Sequence, residues 1–579
     1  MRCDHPPAVS TTAAGDPLAH LAPDQRAAAA APPGPVLCVA PAGSGKTTTL
    51  VARIAWLVAG GADPGSIRAI TFNRRAAAEL AERLERALDG LAAPPGSVRV
   101  QTFHALAREI LVDAGHAVEP LLDRDALLRE IQPELDPARR RALDDAFSRL
   151  KLDLGVTAPQ VATDPDPGPV ARTFLHYEAA LEARGGLDFD DLVVRALRAL
   201  EADAALLGEW RGRCRILMVD EVQDVDRMQL RLALLLAAPG NDIFLVGDDD
   251  QTIYGWRLAD VRRVLGLAAE LPGLRRMDLV TNYRCPRPVV ERAVQLVGHN
   301  RERFAKTIRA RPNAGGGLVL APDAADDVVR IRRVLERWPT DGSTRAILAR
   351  TNHELVPASA AAVQGGWPFR APALALPAES PVVDVVLQAL ESRPGDRRPL
   401  LVRLGEVIGG LDARGSVAGS RAAAPDGAAA NAFAIGPSLD DPVAEDRPAG
   451  DLVTVRSLLA WAPAFATVGD LRDAVMAHRA ALARLRSDRA ALTMATVHGT
   501  KGLEWDHVAV IGLESGRFPS ARSVTEAEDP ERALEEERRL AYVAWTRARR
   551  SLTLLYDPGA PSQFLLEAFT PEELGLPAA

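Results

Sequence analysis

The segment Ala40-Pro41-Ala42-Gly43-Ser44-Gly45-Lys46-Thr47 follows the apolar run Val36–Ala40 and precedes a helix-like stretch, Thr48–Val58. A strand that passes through a glycine-rich turn into a helix restricts the fold severely: it belongs to a parallel sheet covered by helices on both faces. Gly43 and Gly45 let backbone N–H groups face phosphate oxygens, and the helix N-terminus adds its partial positive charge. Lys46 then reaches the β and γ oxygens, and Thr47 can hold Mg²⁺. Ala40 stands where the strict phosphate-loop pattern has its first glycine. The bland alternative is a glycine-rich turn that happens to hold a lysine, and the flanking strand and helix argue against it.

The same rhythm continues along the chain. Val36–Ala40, Arg68–Phe72, Val98–Phe103, Ile216–Asp220 and Ile243–Gly247 read as short buried strands separated by helical stretches. A second set, Leu318–Ala321, Arg345–Ala349, Leu492–Val497, Val508–Gly512 and Leu552–Leu555, repeats it. With 579 residues the chain is too long for one ordinary core. The expected fold class is therefore α/β, with two parallel-sheet domains. The first takes 21–104 and 186–285, and a helical insertion at 105–185 interrupts it. The second takes 286–390 and 490–579, interrupted by a reduced insertion at 391–489. Residues 1–20 read as a flexible tail. Gly415–Asp451, rich in Ala, Gly, Pro, Asp and Ser, reads as disordered, and Val468–Arg489 reads as a helix returning to the sheet.

Two further strand ends carry chemistry. Ile216–Asp220 delivers the pair Asp220-Glu221 at its C-terminal end, where such sheets place their reactive groups. Asp220 is assigned to Mg²⁺ and Glu221 to polarising an attacking water as general base. Ile243–Gly247 leads into Asp248-Asp249-Asp250-Gln251, where the Gln251 amide can contact a γ-phosphate and report its loss. An acidic pair alone is more often a solvated loop, so the weight rests on the strand and the phosphate loop together.

Composition narrows the remaining classes. The four cysteines, Cys3, Cys38, Cys214 and Cys285, include no C-x-x-C pair, which disfavours zinc, iron–sulfur and disulfide frameworks and suggests the reducing cytoplasm. The first 18 residues lack the pattern of a signal peptide, and no membrane association is expected. A net charge of −8 disfavours a general nucleic-acid coat but not a groove that follows one strand. Only four of the 69 basic residues are lysine: Lys46, Lys151, Lys306 and Lys501. Base composition of the genome explains such a bias, yet the phosphate loop keeps its lysine, a compact point charge.

Taken in order, further segments carry a specific resemblance. They are Gln25 in Leu21-Ala22-Pro23-Asp24-Gln25, Thr71–Glu79, Gln101-Thr102-Phe103-His104, Asp188-Phe189-Asp190-Asp191-Leu192 and Asp220–Asp224. Gly247–Arg257, Asn282-Tyr283-Arg284, Val497–Trp505 and Glu535–Ala548 follow. The chain resembles UvrD/Rep/PcrA-type superfamily 1 DNA helicases over nearly its whole length except 391–489. That resemblance implies two RecA-like P-loop domains with ATP between them and a DNA-stimulated ATP hydrolase that is a 3′→5′ helicase. It implies arginine fingers at Arg284 and Arg547, Tyr283 stacked on adenine, Gln25 on its edge and Glu504 at the ribose. Thr48 stands where some relatives carry an arginine against the base. The cofactors implied are ATP and Mg²⁺, and the partner is single-stranded or 3′-tailed DNA, with the protein acting as a monomer or transient dimer beside repair or loading proteins.

Single strands are gripped by aromatic platforms and cations. Phe72, Phe103, Tyr254, Trp256 and Trp505 lie in the matching segments, with Arg257 beside Trp256, and the resemblance adds His104, Phe189, Arg350 and Asn352. Phe72 and Phe103, which end strands, fit a core as well as a platform. Relatives carry a larger accessory subdomain, and an aromatic pin after a Gly-x-Pro-aromatic-Arg-like segment. Here Gly366-Trp367-Pro368-Phe369-Arg370 is followed by Ala371–Pro377 without an aromatic. Translocation with weak unwinding therefore stands beside helicase activity in repair or replication. A scaffolding subunit with a vestigial motor and a one-domain P-loop kinase or GTPase are the remaining readings. No fused nuclease domain is expected after Phe564.

Overall fold

The computed structural model describes residues 16–413 and 465–576, apart from positions 92, 93, 95, 375 and 394. The segment expected to be disordered, Gly415–Asp451, lies outside the described residues, as do positions 1–15 of the expected tail. The end of that tail is structured: Leu18 is buried with Ala29 and Ala52. An apolar side chain beside two alanine-lined helices gains more from burial than the tail loses in freedom.

Chain contacts divide the protein into two units, Met1–Gly317 with Arg522–Thr546, and Leu318–Ala521 with Arg547–Ala579. Segment 522–546 falls within the 490–579 block expected in the second domain, yet its helix, Pro530–Trp545, packs in the first unit. Helix Arg287–Val297 is its main neighbour there.

In the first unit, β1 (Val36–Val39), β2 (Ile67–Thr71), β3 (Arg99–Thr102), β4 (Ile216–Asp220), β5 (Ile243–Gly247) and β6 (Arg275–Asp278) form one parallel sheet. Their order is β3-β2-β4-β5-β1-β6. Side chains alternate between two cores, as a period of two requires. Leu37, Ile70, Leu217, Val219 and Leu245 enter one; Cys38, Ala69, Met218, Phe244 and Val246 enter the other. Burial on both faces is why these strands read as continuous apolar runs. Register does the functional work. Val39 pairs with Gly247 and Asp220 with Val246, so the C-terminal ends of β1, β4 and β5 stand side by side. β6, charged and half-exposed, was not legible as a strand.

Seven α-helices lie between β3 and β4, from Phe103–Asp113 to Ala204–Arg213, and the middle ones build the insertion. Its outer part has a small core of its own, Leu127, Leu128, Phe147, Phe174, Tyr177 and Leu181. A buried ionic cluster ties it to the sheet-packing helix Phe189–Ala202. Lys151 Nζ lies 2.9 Å from both Asp188 and Asp191 and 2.7 Å from Glu178, while Arg124 meets Asp188 at 2.8 Å and Asp190 at 2.6 Å. Asp188 also caps that helix by accepting from the Asp191 amide.

Two short parallel strands, β7 (Thr281–Asn282) and β8 (Arg309–Ala310), complete the first unit. In the second unit, β9 (Gly317–Pro322), β10 (Arg345–Ala349), β11 (Phe369–Arg370), β12 (Leu492–Thr496), β13 (Trp505–Val510) and β14 (Ala548–Tyr556) lie in the order β11-β12-β10-β13-β14-β9. The first five of that order are parallel neighbours. Helices Pro381–Glu391, Leu400–Ala413 and Val468–Leu485 share this unit's core, and Phe369 is fully buried in it. No helix among the described residues is long and apolar enough to cross a membrane.

Removing the cation from a buried cluster leaves its carboxylates uncompensated, which costs about 3–5 kcal/mol. Lys151→Met is therefore expected to lower unfolding stability by about that amount in urea titration. An unchanged midpoint would mean that Arg124 alone neutralises the cluster.

Candidate active site

The phosphate loop is shaped by contacts to its carbonyls. Gln25 Nε2 donates to Ser44 O at 2.8 Å, Asn282 Nδ2 to Ala42 O at 2.7 Å and the Tyr283 amide to Gly43 O at 2.8 Å. With these carbonyls turned into protein, the loop's other face is left to amides. Gly43 (φ +69°) and Gly45 (φ +89°) occupy left-handed backbone. A Cβ at Gly43 would lie 2.8 Å from Arg284 Cβ, and one at Gly45 would lie 2.5 Å from Gln25 Nε2.

The helix that follows, Lys46–Ala59, has no side-chain cap and no acid in its first turn. Helices beginning at Arg74, Phe103, Phe189 and Arg227 in the same unit are capped by Asn73, Thr102, Asp188 and Asp226. An uncapped N-terminus keeps its amides and its positive dipole for an anion. Ser44 Oγ is buried there without a hydrogen-bond partner. Lys46 Nζ stands 3.4 Å from Ala40 O and 3.9 Å from Glu221 Oε1. Thr47 is half-buried and Thr48 exposed.

Asp220 closes β4, and Glu221 follows at φ +52°. A left-handed non-glycine residue costs on the order of 1–3 kcal/mol and persists only where neighbours hold it. Gln223 Nε2 donates to Glu221 Oε2 at 2.6 Å, and the Glu221 amide donates to Asp220 Oδ1 at 2.9 Å. Gln223 Oε1 in turn accepts from the Asp248 amide at 3.0 Å, joining the acidic pair to the end of β5. Asp248 Oδ2 accepts from the Ala42 amide at 3.0 Å and from Gln251 Nε2 at 2.7 Å. Phosphate loop, acidic pair and glutamine thus form one bonded assembly. The oxygen donors Thr47 and Asp220, beside amides that suit phosphate, are of the type that hard Mg²⁺ takes.

Around this centre, Tyr283 is 37% exposed, leaving its ring open to stack on a flat partner. Gln25 has both amide ends engaged, since Oε1 accepts from the Ala22 amide at 3.2 Å. Its bond to Ser44 makes it a support of the loop as well as the expected base reader. Arg284 Nη1 donates to Thr546 O at 3.2 Å. In the second unit, Arg547 is buried with Nη1 3.3 Å from Leu503 O, and Glu504 lies 3.5 Å from Arg549.

The residues expected to meet DNA fall into three groups. Phe72 and Tyr254 stack at 5.2 Å, Trp256 meets Tyr254 edge-on at 6.0 Å, and the Arg257 guanidinium lies 4.6 Å from the Trp256 ring centre. His104 and Phe189 form a second aromatic pair at 4.1 Å. Burial, with Arg257 and Arg74 nearby, pushes the His104 imidazole down to about 4 against the pull of Asp190. Arg350 and Asn352 follow β10 in the second unit, where burial and the Arg350 charge push His498 down to about 3. Phe103 is not at a surface: 2% exposed, it packs in the core with Ile70, Leu106 and Leu192, as an apolar ring ending a doubly covered strand does.

Sequence reasoning gave Gln25 and Tyr283 roles at the base but not as supports of the loop. Asn282 was visible only as part of a matching segment. Glu536 Oε1 accepts from the Gly255 amide at 2.9 Å, holding the turn that presents Trp256 and Arg257. Next to it, Glu535 accepts from the amides of Arg301 and Glu302, and Arg538 Nη1 donates to Asn300 Oδ1 at 2.6 Å. The only signal for these contacts was charge density in Glu535–Arg539, indistinguishable from a solvated helix face.

Gly45→Ala is expected to weaken binding of a fluorescent ADP analogue at least about tenfold, because the new Cβ collides with Gln25 and strains the backbone. Circular dichroism should remain native. The His104 group predicts a pH response of defined sign. Its folded value lies below the ordinary 6.5, so it contributes stability that is lost as pH falls from 6.5 towards 4. Its ring resonances should stay those of neutral imidazole at pH 5.5; a midpoint near 6.5 by NMR would contradict its burial.

Comparison with known proteins agrees with this geometry. Residues 21–272 match the UvrD/REP helicase N-terminal domain, and residues 474–558 match the UvrD-like helicase C-terminal domain. The chain is 33% identical to ATP-dependent DNA helicase UvrD2 of Mycobacterium tuberculosis, over 95% of this chain and 82% of the relative. It is 29% identical to DNA helicase II of Escherichia coli, over 92% and 84%, and 28% identical to PcrA of Leuconostoc citreum, over 93% and 83%. The two matched domains, and identity of this extent across most of both chains, show that this protein belongs to the UvrD/REP helicase family.

Proposed function

We propose that this protein hydrolyses ATP and uses the energy to move 3′→5′ along single-stranded DNA, separating duplexes in repair or replication in the cytoplasm. The observation that carries this reading is the continuity of the β5 end. Gln251 is bonded through Asp248 to the phosphate loop, and six residues later Arg257 lies on the Phe72–Tyr254–Trp256 aromatic group. Nucleotide contact and base contact are therefore two ends of one short segment.

Each residue has a role. Lys46 and the loop amides bind the β and γ phosphates. Thr47 and Asp220 would hold Mg²⁺, which would supply charge neutralisation to the phosphates. Glu221 accepts a proton from the attacking water, and its backbone strain keeps the carboxylate at the strand end. Gln251 contacts the γ-phosphate. Arg284 and Arg547 meet the charge that develops in the transition state, a role worth about 10³–10⁵ in rate for one arginine. Tyr283 stacks on adenine, Gln25 reads its edge and Glu504 takes the ribose. Phe72, Tyr254, Trp256, Arg257, His104 and Phe189 grip the strand, with Arg350 and Asn352 contributing from the second unit.

A second reading, translocation with weak unwinding, is favoured by one observation. Phe369, the aromatic of the Gly366–Arg370 segment, is a core residue in β11, and Ala371–Pro377 offers no aromatic to part a duplex.

ATP turnover should rise at least about tenfold with oligo-dT and fall by about 10³ in Lys46→Ala. Absence of DNA stimulation would sink the motor reading. Strand displacement on 3′-tailed, 5′-tailed and blunt duplexes then tests polarity and separates helicase from translocase; equal activity on both tails would refute the 3′→5′ assignment.

A further inference from the structure

Asp248, Asp249 and Asp250 are all 1% exposed or less. Three adjacent carboxylates cannot remain ionised out of water without cations and donors in close contact. Lys306 supplies the first: its Nζ lies 2.8 Å from Asp248 Oδ1 and 2.9 Å from Asp250 Oδ2, and it also contacts Asp249 Oδ1. Arg303 forks onto Asp250 with bonds of 2.9 and 2.7 Å, and the Phe304 amide donates to Asp249 Oδ2 at 2.8 Å. Lys306 is itself buried, and its ammonium is held charged because the three carboxylates outweigh the effect of burial.

The choice of lysine is informative in a chain where only four of 69 basic residues are lysine. An ammonium directs three N–H groups from one atom towards three acceptors, whereas a planar guanidinium cannot converge on them. Lys151 shows the same arrangement with Asp188, Asp191 and Glu178. Lys306 differs in what lies beyond its carboxylates. Asp248 carries Lys306 on one oxygen, and the Ala42 amide and Gln251 Nε2 on the other.

We infer that Lys306 is a positioning residue for ATP hydrolysis: through Asp248 it fixes the side chain of Gln251 relative to the phosphate loop. Its side chain is 1% exposed and its ammonium is taken up by the three carboxylates, so it acts through Asp248. Its charge keeps Asp248 ionised, and an ionised Asp248 accepts from Gln251 and Ala42 at once. This rests on the reading of Gln251 as the γ-phosphate contact. Loss of the ammonium therefore impairs turnover more than nucleotide capture, because the loop carbonyls remain held by Gln25, Asn282 and Tyr283.

Four variants test it: Lys306→Gln, Asp249→Asn/Lys306→Gln, Gln251→Ala and Gln251→Ala/Lys306→Gln. Each is assayed for oligo-dT-stimulated ATP turnover, affinity for a fluorescent ADP analogue and thermal midpoint. Lys306→Gln should lower kcat by about 10²-fold, the scale of a small misplacement, with ADP affinity within about threefold of wild type. The Asp249→Asn/Lys306→Gln pair removes one negative charge with the positive one, so it keeps the fold even if the single variant does not; its kcat should stay low. The Gln251→Ala/Lys306→Gln pair should turn over no slower than Gln251→Ala, as expected for two residues on one route. Wild-type kcat in Lys306→Gln, recovery in the Asp249→Asn pair, parallel loss of ADP affinity, or additive losses with Gln251→Ala would each overturn the inference. Wild-type turnover in Gln251→Ala would instead refute the reading of Gln251 beneath it.

Discussion

Negative charge gathered at the C-terminal end of β5 is the constraint to which the rest of the first unit answers. Asp248 is shared among Lys306, Gln251 and the Ala42 amide, so one carboxylate sets the position of the loop, the glutamine and the cation together. Its neighbours Asp249 and Asp250 draw in Phe304 and Arg303, which anchors the segment after helix Arg287–Val297 to the end of β5. Burial pushes the Asp249 carboxyl up to about 6 against the Lys306 charge, with Asp250 and Asp248 adding to the rise, so near neutrality it stays largely ionised and depends on its cation. Such a cluster stabilises little compared with an apolar core of the same volume; what it supplies is a fixed geometry.

That geometry extends through helix Pro530–Trp545, which the chain delivers from between strands of the second sheet. Glu535 caps the amides of Arg301 and Glu302, Arg538 holds Asn300, and Glu536 holds Gly255. Tyr542 from the same helix is buried near Asp248 and Asp250, and burial with those charges pushes its phenol well up, keeping it neutral. The helix therefore fastens the lysine segment on one side and the Trp256–Arg257 turn on the other.

Much of the site was legible because each part depends on local backbone requirements. Gly43 and Gly45 announce left-handed turns, Val36–Ala40 and Ile216–Asp220 announce strands buried on both faces, and a strand end followed by Asp220-Glu221 announces where side chains emerge. Phe103 was ambiguous for a physical reason: an aromatic at a strand end looks the same whether it faces a core or a surface, and packing against Ile70 and Leu192 decides it. Lys306 and Glu536 were silent because their hydrogen-bond partners lie 57 to 281 residues away, in no local pattern.

By itself the sequence determined the elements and their order: a phosphate loop, an acidic strand end, a glutamine strand end and a second set of strands. Periodicity, turn chemistry and charge at strand ends are short-range properties, and they survive in one dimension. Only the tertiary structure decided the register that aligns β1, β4 and β5, the transfer of helix Pro530–Trp545 to the first unit, and the pairing of Lys306 with three aspartates. These depend on which groups burial forces together, and a buried charge must find its partner wherever the fold brings one.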